Sequence, residues 1–164
     1  IEEPQSETYI FFLTNDQDQM LPTIQSRTQI FQFKKQVESL RNRLEQAGLV
    51  KNKARLLAEF SQSQAEAEKL TNQTSFWTLL EESERFYSWL ESGKKESYLQ
   101  VAKLASLADD KEKQDQVFRI LEVLAGQEIQ KNVARTVLQN LLEARKMWKA
   151  NVSFQNSLEY LVLQ

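Results

Sequence analysis

The chain has 164 residues, is 41% hydrophobic, and carries 21 basic against 23 acidic residues for a formal charge of −2. That is enough apolar material for one sizeable core or two small ones, and it lacks the basic excess of a dedicated DNA-binding module. With neither cysteine nor histidine, disulfides, thiolate nucleophiles, Cys/His zinc sites and Ser-His or Cys-His catalysis are excluded.

No apolar run is long enough to span a bilayer, and the first residues have no signal-peptide pattern. A reducing, cytoplasmic location is the expectation. The chain opens on Ile1-Glu2-Glu3-Pro4 rather than Met, and it reads as a piece of a longer protein. The sequon Asn151-Val152-Ser153 therefore carries no expectation of glycosylation.

The first 33 residues differ from the rest. Tyr9-Ile10-Phe11-Phe12-Leu13 is an unbroken apolar run of strand length, suited to a central parallel strand covered on both faces. Thr14-Asn15-Asp16 ends it with turn chemistry. Leu21–Gln25 predicts a short helix with Pro22 in its first turn. Thr28–Phe33 alternates and predicts a second strand.

After residue 34 the chain reads as nearly all helix. Glu, Gln, Leu, Lys and Ala dominate, and both prolines lie before residue 23, so no proline interrupts the later helices. Val37, Leu40, Leu44 and Ala47 share one helical face, with Gly48 as C-cap. Ala54, Leu57 and Phe60 begin a second helix, and Ala65 and Leu70 mark a third.

Asn72–Ser75 offers caps for a strong amphipathic helix carrying Phe76, Leu79, Leu80, Phe86, Tyr87 and Leu90, stopped by Gly93. Tyr98, Val101, Ala102, Ala105 and Leu107 mark the next, and Asp109-Asp110 reads as a polar turn. Val117, Ile120, Leu121 and Leu124 mark another, ending near Gly126. Val133, Val137, Leu138, Leu141, Leu142 and Trp148 mark a long one. Phe154, Leu158, Leu161 and Val162 mark the last. There is no internal repeat.

Taken bare, the first 33 residues belong in any α/β sheet, and the commoner fate of a lone arginine such as Arg27 is a surface salt bridge. The combination is more specific. Glu2-Glu3-Pro4, an apolar strand ending in Thr14-Asn15, Leu21-Pro22-Thr23-Ile24-Gln25-Ser26-Arg27 and an alternating strand together resemble the clamp-loader branch of the AAA+ ATPases. Asn15 stands where that family keeps a polar sensor facing the γ-phosphate. Ser26-Arg27-Thr28 stands where it has Ser-Arg-Cys, with Thr28 departing from the pattern.

The resemblance implies that Arg27 reaches in trans to a neighbouring subunit's ATP, with Ser26 setting its approach and Asn15 a vestigial sensor. Arginine suits that role, because its planar, permanently charged guanidinium bridges phosphate oxygens and stabilises charge on a transferred phosphoryl group.

Leu142–Leu163, a long helix running into Asn151-Val152-Ser153 and a final Leu-rich helix, is similar to the end of the delta-prime subunits of bacterial DNA polymerase III. ATP-binding clamp-loader members carry Gly-Ser-x-Arg in their lid. The best-matching place here, Ser61-Gln62-Ser63-Gln64, has no arginine, which favours a subunit that does not hydrolyse ATP.

The expectation is therefore a mainly α chain. The end of an α/β AAA+ domain with two strands (1–33) is followed by a helical lid (34–72) and an all-α collar bundle for oligomerisation (73–164). The implied partners are the gamma/tau ATPase and delta subunits in a heteropentamer, and the sliding clamp and primed DNA through that assembly. The chain itself would be no enzyme. It would bind no cofactor or metal, ATP sitting on the adjacent subunit, and would belong to the DNA-directed DNA polymerase holoenzyme. An ATP-binding gamma/tau-like subunit, and a helical interaction module with no nucleotide role, stay open as alternatives.

Other groups carry blander readings. Glu2 and Glu3 are adjacent and point opposite ways in extended backbone, which argues against acid–base work. Trp77, Trp89, Trp148, Phe86, Tyr87 and Tyr98 could stack on bases, but helical spacing favours core, with Trp77 and Trp89 as interface candidates. Lys51, Lys53 and Arg55, like Arg145, Lys146 and Lys149, read as solvated helix faces rather than phosphate contacts.

Overall fold

The computed structural model describes residues 8–14, 20–31, 36–93 and 96–164. The chain divides into two compact units, Ile1–Lys35 and Gln36–Gln164, and nine α-helices lie among the described residues.

In the first unit, α1 spans Pro22–Gln25. Proline sits at its first position, where its missing N–H leaves no bond unmade. The two expected strands are absent among the described residues. Tyr9–Leu13 forms no regular secondary structure, with Leu13 95% exposed. Thr28–Phe31 forms no ladder either, and Gln32 and Phe33 lie outside the described residues. An apolar run records only which side chains want burial; a strand exists through hydrogen bonds to a neighbour, and none pairs with these segments among the described residues.

The second unit is helical: α2 Val37–Gln46, α3 Lys51–Phe60, α4 Gln64–Thr71, α5 Thr74–Glu91, α6 Ser97–Leu107, α7 Lys111–Gln127, α8 Asn132–Lys149 and α9 Phe154–Val162. Side-chain caps begin three of them. Ser63 Oγ accepts from the Glu66 N–H at 3.1 Å, while the Glu66 carboxylate accepts in turn from the Gln62 N–H at 2.6 Å. Asp110 Oδ1 accepts from the Lys113 N–H at 2.7 Å, and Ser153 Oγ from the Asn156 N–H at 3.2 Å.

The caps expected at Asn72–Ser75 fall elsewhere. Helix α5 starts after Gln73 with no side-chain cap, and the Asn72 amide instead donates to the Glu68 carbonyl at the end of α4. Gly48 (φ +97°) and Gly93 (φ +61°) end α2 and α5 in the left-handed region.

Two apolar clusters form. One holds Leu40, Leu44, Ala54, Leu57, Phe60, Ala67 and Leu70 from α2–α4, closed by Phe76, Leu80 and Ile120. The other joins α5 to α9 through Phe86, Val101, Leu104, Val117, Phe118, Leu121, Leu141, Phe154 and Leu158. Both draw on α5 and α7, so these two helices bury residues on two sides. Each fully buried Phe or Leu contributes roughly 1.5–3 kcal/mol.

Two stripes differ from expectation. In α6 the buried residues are Ser97, Gln100, Val101 and Leu104, while Tyr98 is 50% exposed and Ala102 is exposed. In α8, Ala134, Leu141 and Ala144 face the core, and Val133 and Leu142 are about half exposed.

The cause in α6 is Glu82 of α5. This buried carboxylate accepts from Gln100 Nε2 at 2.5 Å and from Lys103 Nζ at 2.8 Å, and pairs with Arg85 at 3.0 Å. Burial pushes its pKa up, but the hydrogen bonds from Lys103 and Gln100 and the charges of Arg85 and Lys103 outweigh that. They hold it below the ordinary 4.5.

This packing generates two predictions. Glu82→Ala is expected to destabilise the chain by about 1–3 kcal/mol, because the buried Gln100 amide loses its charge-assisted bond and keeps only the residue-82 backbone carbonyl at 3.2 Å, while Lys103 and Arg85 can still find water. With the folded pKa depressed, the stabilisation of wild type over Glu82→Gln is full above pH about 4.5 and shrinks as pH falls through the folded value. Denaturant titrations at several pH values measure both effects.

At the α8–α9 junction Asn151 holds φ +67°. Asn151→Gly should be neutral or stabilising, and Asn151→Val should lower stability by about 1–2 kcal/mol, read as a shift in denaturation midpoint.

Candidate functional site

The turn after α1 is built by backbone bonds. The Ile24 and Gln25 N–H groups donate to the Leu21 carbonyl at 2.9 and 3.1 Å, Ser26 N–H to Pro22 O at 3.0 Å, and Arg27 N–H to Ile24 O at 3.0 Å. Side chains reinforce it. Gln25 Nε2 donates to Met20 O at 2.8 Å, Thr28 Oγ1 to Ile24 O at 2.9 Å, and Ser26 Oγ to Thr23 O at 3.3 Å. The polar side chains on both sides of Arg27 thus bond to α1, and Arg27 itself is exposed.

Arg27 differs from every other arginine in the chain. Arg41 pairs with Glu38 and Glu45, Arg55 with Glu59, Arg85 with Glu82, Arg119 with Glu66 and Arg145 with Asp115 and Glu122. Arg43 bonds to Gln64 and Arg135 to the Gln130 carbonyl. Among the described residues no carboxylate or other polar partner engages the Arg27 guanidinium. An exposed cation on a backbone-anchored turn, unneutralised by the described part of its own chain, suits an anion supplied from outside.

Asn15 lies outside the described residues, as do Glu2 and Glu3. Thr14 is exposed. Ser26 and Arg27 thus share one turn, while Asn15, the expected sensor, falls where no position is described.

The segment Ser61-Gln62-Ser63-Gln64 joins α3 to α4, and the residues flanking it are held by an arginine from elsewhere. Arg119 of α7 donates to the Phe60 carbonyl at 2.7 Å and to Glu66 Oε1 at 3.3 Å, and its guanidinium lies 4.2 Å from the Phe60 ring centre. Sequence reading missed Arg119 because its partners are more than 50 residues away and share no motif with it.

Four of the basic candidates, Lys53, Arg55, Arg145 and Lys146, are engaged within the fold. Lys53 lies over the Trp77 ring at 4.9 Å and 3.8 Å from Glu81, and Lys146 pairs with Glu143 at 2.7 Å. Arg145 donates to Glu122 at 2.7 Å and Asp115 at 2.5 Å. Burial works against its charge, but the two carboxylates outweigh this and raise its pKa further.

The aromatics do not assemble a stacking platform. Phe86 and Tyr87 are buried. Trp148 donates to Gln114 at 2.8 Å and packs on Phe118. Trp77, expected as an interface candidate, packs on the α2–α4 cluster and donates to the Thr71 carbonyl at 2.9 Å. Trp89 is exposed to a greater degree than Phe86 and Tyr87 on the same helix.

Among the described residues no acidic cluster is placed to hold a metal, and no helix is long and apolar enough to cross a membrane. A family model described as DNA polymerase III, delta subunit matches residues 1–37, the stretch that carries the Arg27 turn. No curated protein and no solved structure matches the chain. The family match supports a relation to DNA polymerase III clamp loaders and a role in replication, without distinguishing one subunit type from another.

Proposed function

We propose that this chain is part of a delta-prime-like clamp-loader subunit that helps load a sliding clamp onto primed DNA without hydrolysing ATP itself. The observation that carries the reading is Arg27. It lies within the stretch matched by the DNA polymerase III family model, is exposed, and has no ion-pair partner among the described residues. In this reading its guanidinium completes the ATP site of an adjacent gamma/tau-type subunit, and Ser26 sets its approach.

The chemistry is electrostatic. Negative charge spread over the transferred phosphoryl oxygens meets a cation already in place. The helices from 73 onward supply the contacts that hold the pentamer, with delta as a further neighbour. Lid helices lacking the Gly-Ser-x-Arg cation, with Ser61–Gln64 in its place, favour delta-prime over an ATP-binding member.

Arg27→Ala in the full-length subunit, assembled with its partners, is expected to slow clamp- and DNA-stimulated hydrolysis at the completed site by about 10³. Assembly by size-exclusion chromatography should be intact. A stimulated ATPase equal to wild type would rule the reading out.

A further inference from the structure

We infer that Thr28 is a positioning residue for Arg27, an inference that rests on the proposed in-trans role of that arginine. The Ile24 carbonyl lies in the last turn of α1, where helix geometry leaves acceptors without an intrahelical donor. It takes two bonds, from the Arg27 N–H at 3.0 Å and from Thr28 Oγ1 at 2.9 Å, using both lone pairs of one oxygen.

These two bonds bracket Arg27. Its own amide ties the chain entering the residue, and the next side chain ties the chain leaving it. Gln25, the last residue of α1, donates back to the Met20 carbonyl ahead of the helix at 2.8 Å, so the helix is also tied to the chain on its N-terminal side. The Ser26 hydroxyl bond to Thr23 is longer, at 3.3 Å, and exposed, which makes it the weaker restraint.

The arginine has no partner of its own among the described residues, so its point of emergence is set by this backbone. A guanidinium acting on a phosphoryl group must arrive within a fraction of an ångström, and fixing its backbone beforehand lowers the ordering entropy lost on engagement. Threonine suits this position, since its hydroxyl is a stronger donor than a thiol and its branched Cβ restricts χ1.

The test uses the full-length subunit in the complete loader, with kcat and KM for ATP measured under clamp and primed-DNA stimulation. Thr28→Val should lower kcat about three- to tenfold with KM unchanged, the loss equivalent to one hydrogen bond, and Thr28→Ser should retain the wild-type rate. In an Arg27→Ala background Thr28→Val should add nothing, since it acts only through the arginine. Thr28→Ala carries the same comparison if the valine variant does not assemble.

A wild-type kcat for Thr28→Val beside a slow Arg27→Ala overturns the inference and leaves the in-trans reading standing. A further loss in the Arg27→Ala background, or an effect on assembly alone, overturns it in favour of a purely structural hydroxyl. An Arg27→Ala loader with wild-type kcat removes both.

Discussion

Helix α7 is the constraint on which the helical unit depends, because it is buried on two sides. Ile120 enters the cluster of α2–α4, and Val117, Phe118 and Leu121 enter the cluster of α5–α9. Adjacent to Ile120, Arg119 reaches the α3–α4 turn, where it holds the Phe60 carbonyl and Glu66. Glu122 and Asp115 of the same helix hold Arg145 of α8. A helix hydrophobic on one stripe can belong to one layer; α7 carries two apolar directions and three ionic anchors, so the layers on either side of it share a single element. Displacing it would open both cores together.

The arginines divide by what they do. Arg119 and Arg145 are half-buried and held by carboxylates, and removing one partner from such a pair leaves an uncompensated charge at some depth. They hold helices to one another. Arg27 has an anchored backbone and a charge unengaged among the described residues, the arrangement needed for a group that completes a site on another molecule. Folding and the proposed chemistry therefore use the same side chain in opposite ways: neutralised inside the fold, or displayed with its charge intact.

Much of the helical unit was legible because its periodicity is strong. The faces of α2, α3 and α9 fall where Leu40 and Leu44, Ala54 and Leu57, and Phe154, Leu158 and Leu161 place them. The illegible parts depend on pairing at a distance. Gln100 is buried because Glu82, eighteen residues away, gives it a partner, and this turns α6 so that Tyr98 faces out. The small Ala134 and Ala144 occupy the inner face of α8 where Val133 and Leu142 were expected, and side-chain size alone does not reveal which small residues turn inward. The Tyr9–Leu13 run was legible as apolar but not as paired, because pairing depends on a neighbouring strand and not on the run itself. At the Arg27 turn the residue types were legible, while the Thr28–Ile24 bond that organises it was not.

The most direct test of the central claim is a structure of the assembled loader, containing the full-length subunit, with clamp, primed DNA and a slowly hydrolysed ATP analogue. The expected result places the Arg27 guanidinium at about 2.7–2.9 Å from a γ-phosphate oxygen on the adjacent subunit, with the Thr28–Ile24 bond preserved. An Arg27 side chain paired instead with a carboxylate, or lying in solvent away from every nucleotide, would contradict it.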